Sequence, residues 1–102
     1  MAFVPVCAEA DVAPGGMRRF DVSGRPVALY RVGAAFYATA AICTHEHADL
    51  TEGEFDGRAV ECPLHGARFD VATGRVLTPP AFKRLATYPA RLRDGQVEVD
   101  LP

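Results

Sequence analysis

Turn-forming dipeptides and tripeptides punctuate this chain at Pro14-Gly15-Gly16, Ser23-Gly24, Val32-Gly33, Asp56-Gly57, Thr73-Gly74 and Asp94-Gly95. Spacing of this kind leaves little room for a long helix, because each Gly or Pro ends the regular run before it. The intervening segments are short and rich in β-branched and aromatic residues, the pattern of an all-β sandwich or barrel built from antiparallel strands. Strands are predicted over Phe3 to Ala8, Met17 to Val22, Pro26 to Val32 and Ala35 to Ala40. The clearest is the last, Gln96 to Leu101, where apolar and polar residues alternate strictly. Its hairpin partner precedes the Asp94-Gly95 turn, with Tyr88, Ala90 and Leu92 on one face and Thr87, Arg91 and Arg93 on the other. A second hairpin is predicted across Asp56-Gly57, joining Gly53-Phe55 to Arg58-Glu61. A single helical turn fits around Glu9 to Val12 or Ala48 to Leu50.

A chain of 102 residues is one domain with a modest core. The strand pattern divides it into a β base, about 1–41 and 74–102, and a small β insertion, about 42–73. Hydrophobic residues make up 49% and charged residues 24%, which excludes a disordered or fibrous chain. No stretch reaches the roughly 18 apolar residues of a membrane helix. The opening Met1-Ala2-Phe3-Val4-Pro5-Val6-Cys7 has neither a basic segment nor a long apolar run, so a cytoplasmic protein is expected. Three cysteines, an odd number, argue against a disulfide framework and suit a reducing compartment.

Two of those cysteines stand in a pattern. Cys43-Thr44-His45 and Cys62-Pro63-Leu64-His65-Gly66 each carry one thiol and one imidazole, with sixteen residues between His45 and Cys62. Such clusters are metal sites. Zinc usually takes ligands in like pairs, two Cys on one turn and two His on a helix, although four ligands alone leave a structural zinc site open. One Cys and one His per loop suits a two-iron cluster whose irons are held by two Cys and two His respectively.

With the following Ala67-Arg68-Phe69-Asp70, Thr73-Gly74 and Thr78-Pro79-Pro80, these loops resemble the Rieske 2Fe-2S proteins, most closely the small ferredoxins of bacterial ring-hydroxylating dioxygenases. The resemblance implies a Rieske fold and one 2Fe-2S cluster. Cys43 and Cys62 would bind the inner iron, and His45 and His65 the outer, solvent-facing iron. Two thiolates and two neutral imidazoles leave the oxidised cluster neutral, where four thiolates would leave two negative charges, so the electron is accepted more readily. High-potential members carry a disulfide between the loops and hydroxyl donors to sulfur; the matching positions here resemble Ala48, Leu64, Ala67 and Phe69. A potential of about -150 mV, the low end of the class, is therefore expected. Gly66 would let backbone N–H groups approach the cluster, and Pro79-Pro80 resembles the loop that covers one side of it. His47, at a spacing the family does not use, is expected to be a bystander. Cys7 is expected to pack as a small hydrophobe.

Six acids (Glu46, Asp49, Glu52, Glu54, Asp56, Glu61) but only one base, Arg58, fall between Thr44 and Glu61. They form either a solvated face or an acidic docking rim. No basic stripe interleaved with aromatics points to nucleic acid. The resemblance implies a one-electron carrier, not an enzyme, with a flavoprotein reductase and a terminal oxygenase as partners; a monomer is expected. Histidine supply excludes an oxygenase within this chain: a facial triad needs two His and a carboxylate, and only His47 remains after His45 and His65. The alternative is a small Rieske-like subunit of a complex such as assimilatory nitrite reductase.

Overall fold

The structure is a computed structural model that describes residues 2–44, 47–64, 66–78 and 83–102. Its strands form three antiparallel sheets. One joins β1 (Phe3–Ala8), β11 (Gln96–Asp100) and β10 (Ala90–Arg93) in the order β1-β11-β10. A second runs β2-β3-β4-β9, from β2 (Met17–Val22), β3 (Arg25–Val32), β4 (Ala35–Ala40) and β9 (Thr87–Tyr88). The third, β5-β6-β7-β8, is made from β5 (Glu54–Phe55), β6 (Ala59–Glu61), β7 (Arg68–Asp70) and β8 (Val76–Thr78).

Local chemistry sets the registers. Ser23-Gly24 and Asp94-Gly95 both adopt positive φ at their two central residues, 52° and 80° in the first turn, 52° and 77° in the second. That geometry matches the right-handed twist of the flanking strands and locks β2 to β3 and β10 to β11. Across the last hairpin Val97 and Val99 turn inward opposite Leu92 and Ala90, while Arg91 meets Glu98 on the other face at 2.7 Å.

The middle sheet separates two cores. Val27 and Leu29 of β3 pack with Val12, Phe36, Ala38, Val97 and Val99 in the base. The alternate residues Ala28 and Tyr30 pack on the opposite side with Leu50, Val60, Phe69 and the loop cysteines. All four β3 side chains are fully buried. A strand with both faces covered shows an unbroken apolar run instead of alternation, as Pro26-Val27-Ala28-Leu29-Tyr30 does. The Tyr30 hydroxyl donates to Thr39 Oγ1 at 2.9 Å, because Thr39 uses its own proton on the Ala40 carbonyl. Burial thus leaves no polar atom of the pair unsatisfied, and it pushes the Tyr30 phenol well above its usual range.

Three expectations change. The segment predicted as one strand from Thr87 to Arg93 is divided at Pro89: β9 pairs with β4, and β10 with β11. Proline has no N–H for either ladder, but its carbonyl accepts from Asp100 at 2.9 Å and so ties the two sheets together. Second, β7 and β8 were not anticipated. Third, the helical turn expected at Ala48 to Leu50 lies at Leu50–Glu52, while Glu9–Asp11 forms the other predicted turn.

Candidate metal centre

Both cysteines stand on short loops that close in the same way. The Cys43 N–H donates to the Ala48 carbonyl at 2.9 Å, and the Cys62 N–H to the Ala67 carbonyl at 2.7 Å. Each cysteine therefore begins a turn that returns to it five residues later, with a histidine in the sequence between, His45 in one and His65 in the other. His45 and His65 lie outside the described residues, as do Pro79 and Pro80. Cys43 is 4% exposed and Cys62 1%, and both belong to the same apolar core, beside Leu50, Val60, Ala67 and Phe69. Two thiols buried in one core, each followed closely in the sequence by a histidine, are a donor set that fits a two-iron cluster. Cys7 belongs to the other core, and burial raises its pKa, with Asp11 adding to the rise against a smaller opposing effect of Arg18. It takes no part in this site.

The first loop is anchored from three directions. An isolated bridge pairs Ile42 with Asp49, and Leu50 N donates to the Ala41 carbonyl at 2.8 Å. Asp49 caps the Leu50–Glu52 turn, accepting from Thr51 N at 2.9 Å and from the Thr51 hydroxyl at 2.6 Å. Its second oxygen takes a bond from Arg19 of β2 at 2.9 Å, which fastens the loop to the base. Burial works to raise the Asp49 pKa, but the Thr51 hydroxyl, the Arg19 hydrogen bond and charge, and the Thr51 N–H together hold it below the usual carboxylate range. The Thr44 hydroxyl donates to the Lys83 carbonyl at 2.8 Å and ties the loop to the segment that follows residues 79–82. His47 is exposed.

The second loop depends on close backbone packing. Gly53 lies where a Cβ would collide with the Glu61 carbonyl oxygen and come within 3.2 Å of Pro63 Cδ, so the chain there tolerates only glycine without moving β6. Gly66 has φ +74°, and Leu64, 47% exposed, is the most exposed large hydrophobic side chain of the described residues. Asp70, at the end of β7, accepts from Ala72 N, Thr73 N and Arg58 Nε and so fixes the turn leading to β8.

Three of the five described acids in this stretch have partners within the chain. Asp49 pairs with Arg19; Asp56 accepts from Arg58 N and Ala59 N and pairs with Arg68 at 2.6 Å; Glu61 lies 3.7 Å from Arg68. Among the described residues, Glu52 and Glu54 have no ion-pair partner. They border a hollow of about 350 Å³ together with Glu61, Cys62, Pro63 and Gly66. The sequence singles out both cysteines but not the ties from Arg19 and Lys83, whose partners lie 30 and 39 residues away along the chain.

Residues 2–89 match the family described as "Rieske [2Fe-2S] domain". The chain is 43% identical over 98 residues to Ferredoxin CarAc of Metapseudomonas resinovorans, covering 95% of this chain and 92% of that one. It is 38% identical over 99 residues to the ferredoxin component of the naphthalene 1,2-dioxygenase system of Pseudomonas putida, covering 97% and 95%. Among solved structures, it superposes with a TM-score of 0.89 and 43% identity on a chain of a complex of reduced oxygenase and oxidised ferredoxin in carbazole 1,9a-dioxygenase, covering 95% and 91%.

Proposed function

Because the chain belongs to the Rieske 2Fe-2S family, we propose that it is a one-electron carrier between an NAD(P)H-dependent flavoprotein reductase and a terminal Rieske non-haem iron oxygenase. The observation that carries this reading is the pair of cysteines, 4% and 1% exposed, on two loops of identical closure in one core. Cys43 and Cys62 hold the inner iron, and His45 and His65 the outer iron. When bound, the cluster takes up and gives back one electron at a time. The protein's own contribution is to keep the thiol side dry with Leu50, Val60 and Phe69, and to hold both loops at a fixed spacing through Asp49, Thr44 and the Gly53 contact.

The chain itself carries out no bond-making chemistry, and the aromatic substrate is bound elsewhere. It acts as a monomer in the cytoplasm, a setting that suits an odd set of three cysteines with Cys7 in a different core from Cys43 and Cys62. Among the described residues no helix is long and apolar enough to cross a membrane. The chain works as one unit, residues 1–102, with the loops on an insertion of about 42–73 in a base of about 1–41 and 74–102.

The test is the purified holoprotein. It is expected to be coloured, to give a Rieske EPR signal on reduction, and to lose that signal on substitution of His45 or His65 but retain it in His47→Ala. A colourless protein containing zinc would overturn the reading, and a signal lost with His47 but kept without His45 would overturn the ligand assignment.

A further inference from the structure

Pro89 ends β9 and precedes β10, and at this point the chain passes from the middle sheet to the β1-β11-β10 sheet. An open hollow of about 600 Å³ lies at this passage, lined by residues 86–89, by residues 100–102 and by Ala2. No lining residue belongs to either cysteine loop. Most of the lining side chains are apolar, among them Ala86, Pro89, Leu101 and Pro102. Asp100 is the exception. It is the only charged side chain of the lining and is 7% exposed, on the face of β11 that alternates away from core residues Val97 and Val99. One of its carboxylate oxygens accepts from the Ala2 N–H at 3.1 Å, and the other has no hydrogen-bond or ion-pair partner among the described residues. Arg91, a cation on the same face of the sheet, is engaged elsewhere: it bonds Glu98 at 2.7 Å and lies over the Phe3 ring at 3.8 Å. A carboxylate this far from water, with one neutral donor, is left short of partners.

We propose that this hollow binds a small organic ammonium ion with an apolar body, of the arylalkylamine class. The ammonium group donates to the open oxygen of Asp100, a charge-assisted bond of the stronger kind. The apolar body covers the wall formed by Pro89, Leu101 and Pro102. A volume of about 600 Å³ falls within the range of about 300–1,000 Å³ typical of small-molecule sites, and apolar walls with a few convergent polar groups are their usual composition. Charge decides the ligand class. An anion is repelled by Asp100, and a neutral apolar molecule takes water from that carboxylate without replacing its hydrogen bonds. The site stands apart from the cysteine loops, so its occupancy leaves the electronic signature of the metal centre unchanged and does not depend on the carrier reading.

The experiment titrates the ¹⁵N-labelled holoprotein with phenethylammonium chloride and follows backbone amide shifts by NMR. Saturating shifts are expected at Ala86, Thr87, Tyr88, Asp100 and Leu101, with the EPR signal of the reduced protein unchanged. The neutral analogue 2-phenylethanol is expected to bind about tenfold more weakly or worse, since a hydrogen bond to a charged group is lost. Propylammonium, which keeps the charge but not the ring, is expected to bind more weakly too. Asp100→Asn retains an acceptor for the Ala2 N–H and is expected to weaken phenethylammonium about tenfold. Asp94→Asn, at the exposed hairpin turn and with the same change of net charge, is expected to bind as the wild type does. Ala86→Phe adds bulk at an exposed lining position and is expected to reduce binding with the carboxylate intact, a result that stands even if Asp100→Asn fails to fold. Absence of saturable shifts at these residues up to about 20 mM ligand, equal affinity for 2-phenylethanol, or wild-type affinity in a folded Asp100→Asn would each overturn the proposal.

Discussion

Replacing Asp49 tests whether the first loop is held from the base or only by its own turn. The Asp49 side chain is 17% exposed and makes three bonds, two to Thr51 as a cap and one to Arg19. Asp49→Ala deletes all three, and loss of a cap of this type costs about 1 kcal/mol. In a domain of this size each kcal/mol moves Tm by about 4–8 °C, so a fall of that order is expected. Arg19→Ala leaves the cap intact and removes two partly exposed ion pairs, to Asp49 and to Asp21, so its fall in Tm should be much smaller. Asp49→Asn keeps an acceptor and isolates the charge. The folded pKa of Asp49 is depressed, so its charge-linked stabilisation is complete above the unfolded value of about 3.9 and disappears as pH falls through the lower folded value. The gap between wild type and Asp49→Asn should accordingly be full at neutral pH and close on acidification below pH about 4. Thermal denaturation followed by far-UV CD, with EPR confirming an intact cluster, reads all three variants. Arg19→Ala as damaging as Asp49→Ala, or an Asp49→Asn gap that widens in acid, would refute the reasoning.

Potentiometric titration of the holoprotein should give about -150 mV, since Ala48, Leu64, Ala67 and Phe69 supply no disulfide and no side-chain hydroxyl to the cluster; a value above about +100 mV would contradict this. Gly53→Ala should force β6 away from residue 53 and reduce cluster occupancy, measured as iron per protein; an unchanged iron content would contradict this. Thr44→Val should speed hydrogen exchange in residues 83–85 with little change in Tm, because one exposed hydrogen bond is worth about 0.5–1.5 kcal/mol at most; Thr44→Ser should restore protection.

What could be read in advance followed the range of the physics. The terminal hairpin was legible because Gln96 to Asp100 alternates and Asp94-Gly95 names its turn. The two Cys/His loops stand out because their candidate ligands are close in sequence, and the fold brings Cys43 and Cys62 into one core. By contrast, β7 and β8 are three residues each, too short to establish a period, and are held by pairing to β6 and to each other. The division at Pro89 had a local cue in the proline itself, overridden by the alternation on either side. The sign of the charge around the loops was visible as composition, but its neutralisation depended on Arg19 and Arg68 meeting acids across the fold. Tyr30 was beyond reach for the same reason: only the stacking of a third sheet on the middle one makes its face an interior.

That doubly covered β3 strand has a consequence for anyone building chimaeras. A graft of residues 42–73 alone from one relative to another would set foreign Val60 and Phe69 counterparts against a resident Ala28, Tyr30 and Thr39, and mismatched volumes there are felt directly in a close-packed interior. The exchangeable unit is the loop region together with the inner face of β3 and β4, even though those strands lie outside it in the chain.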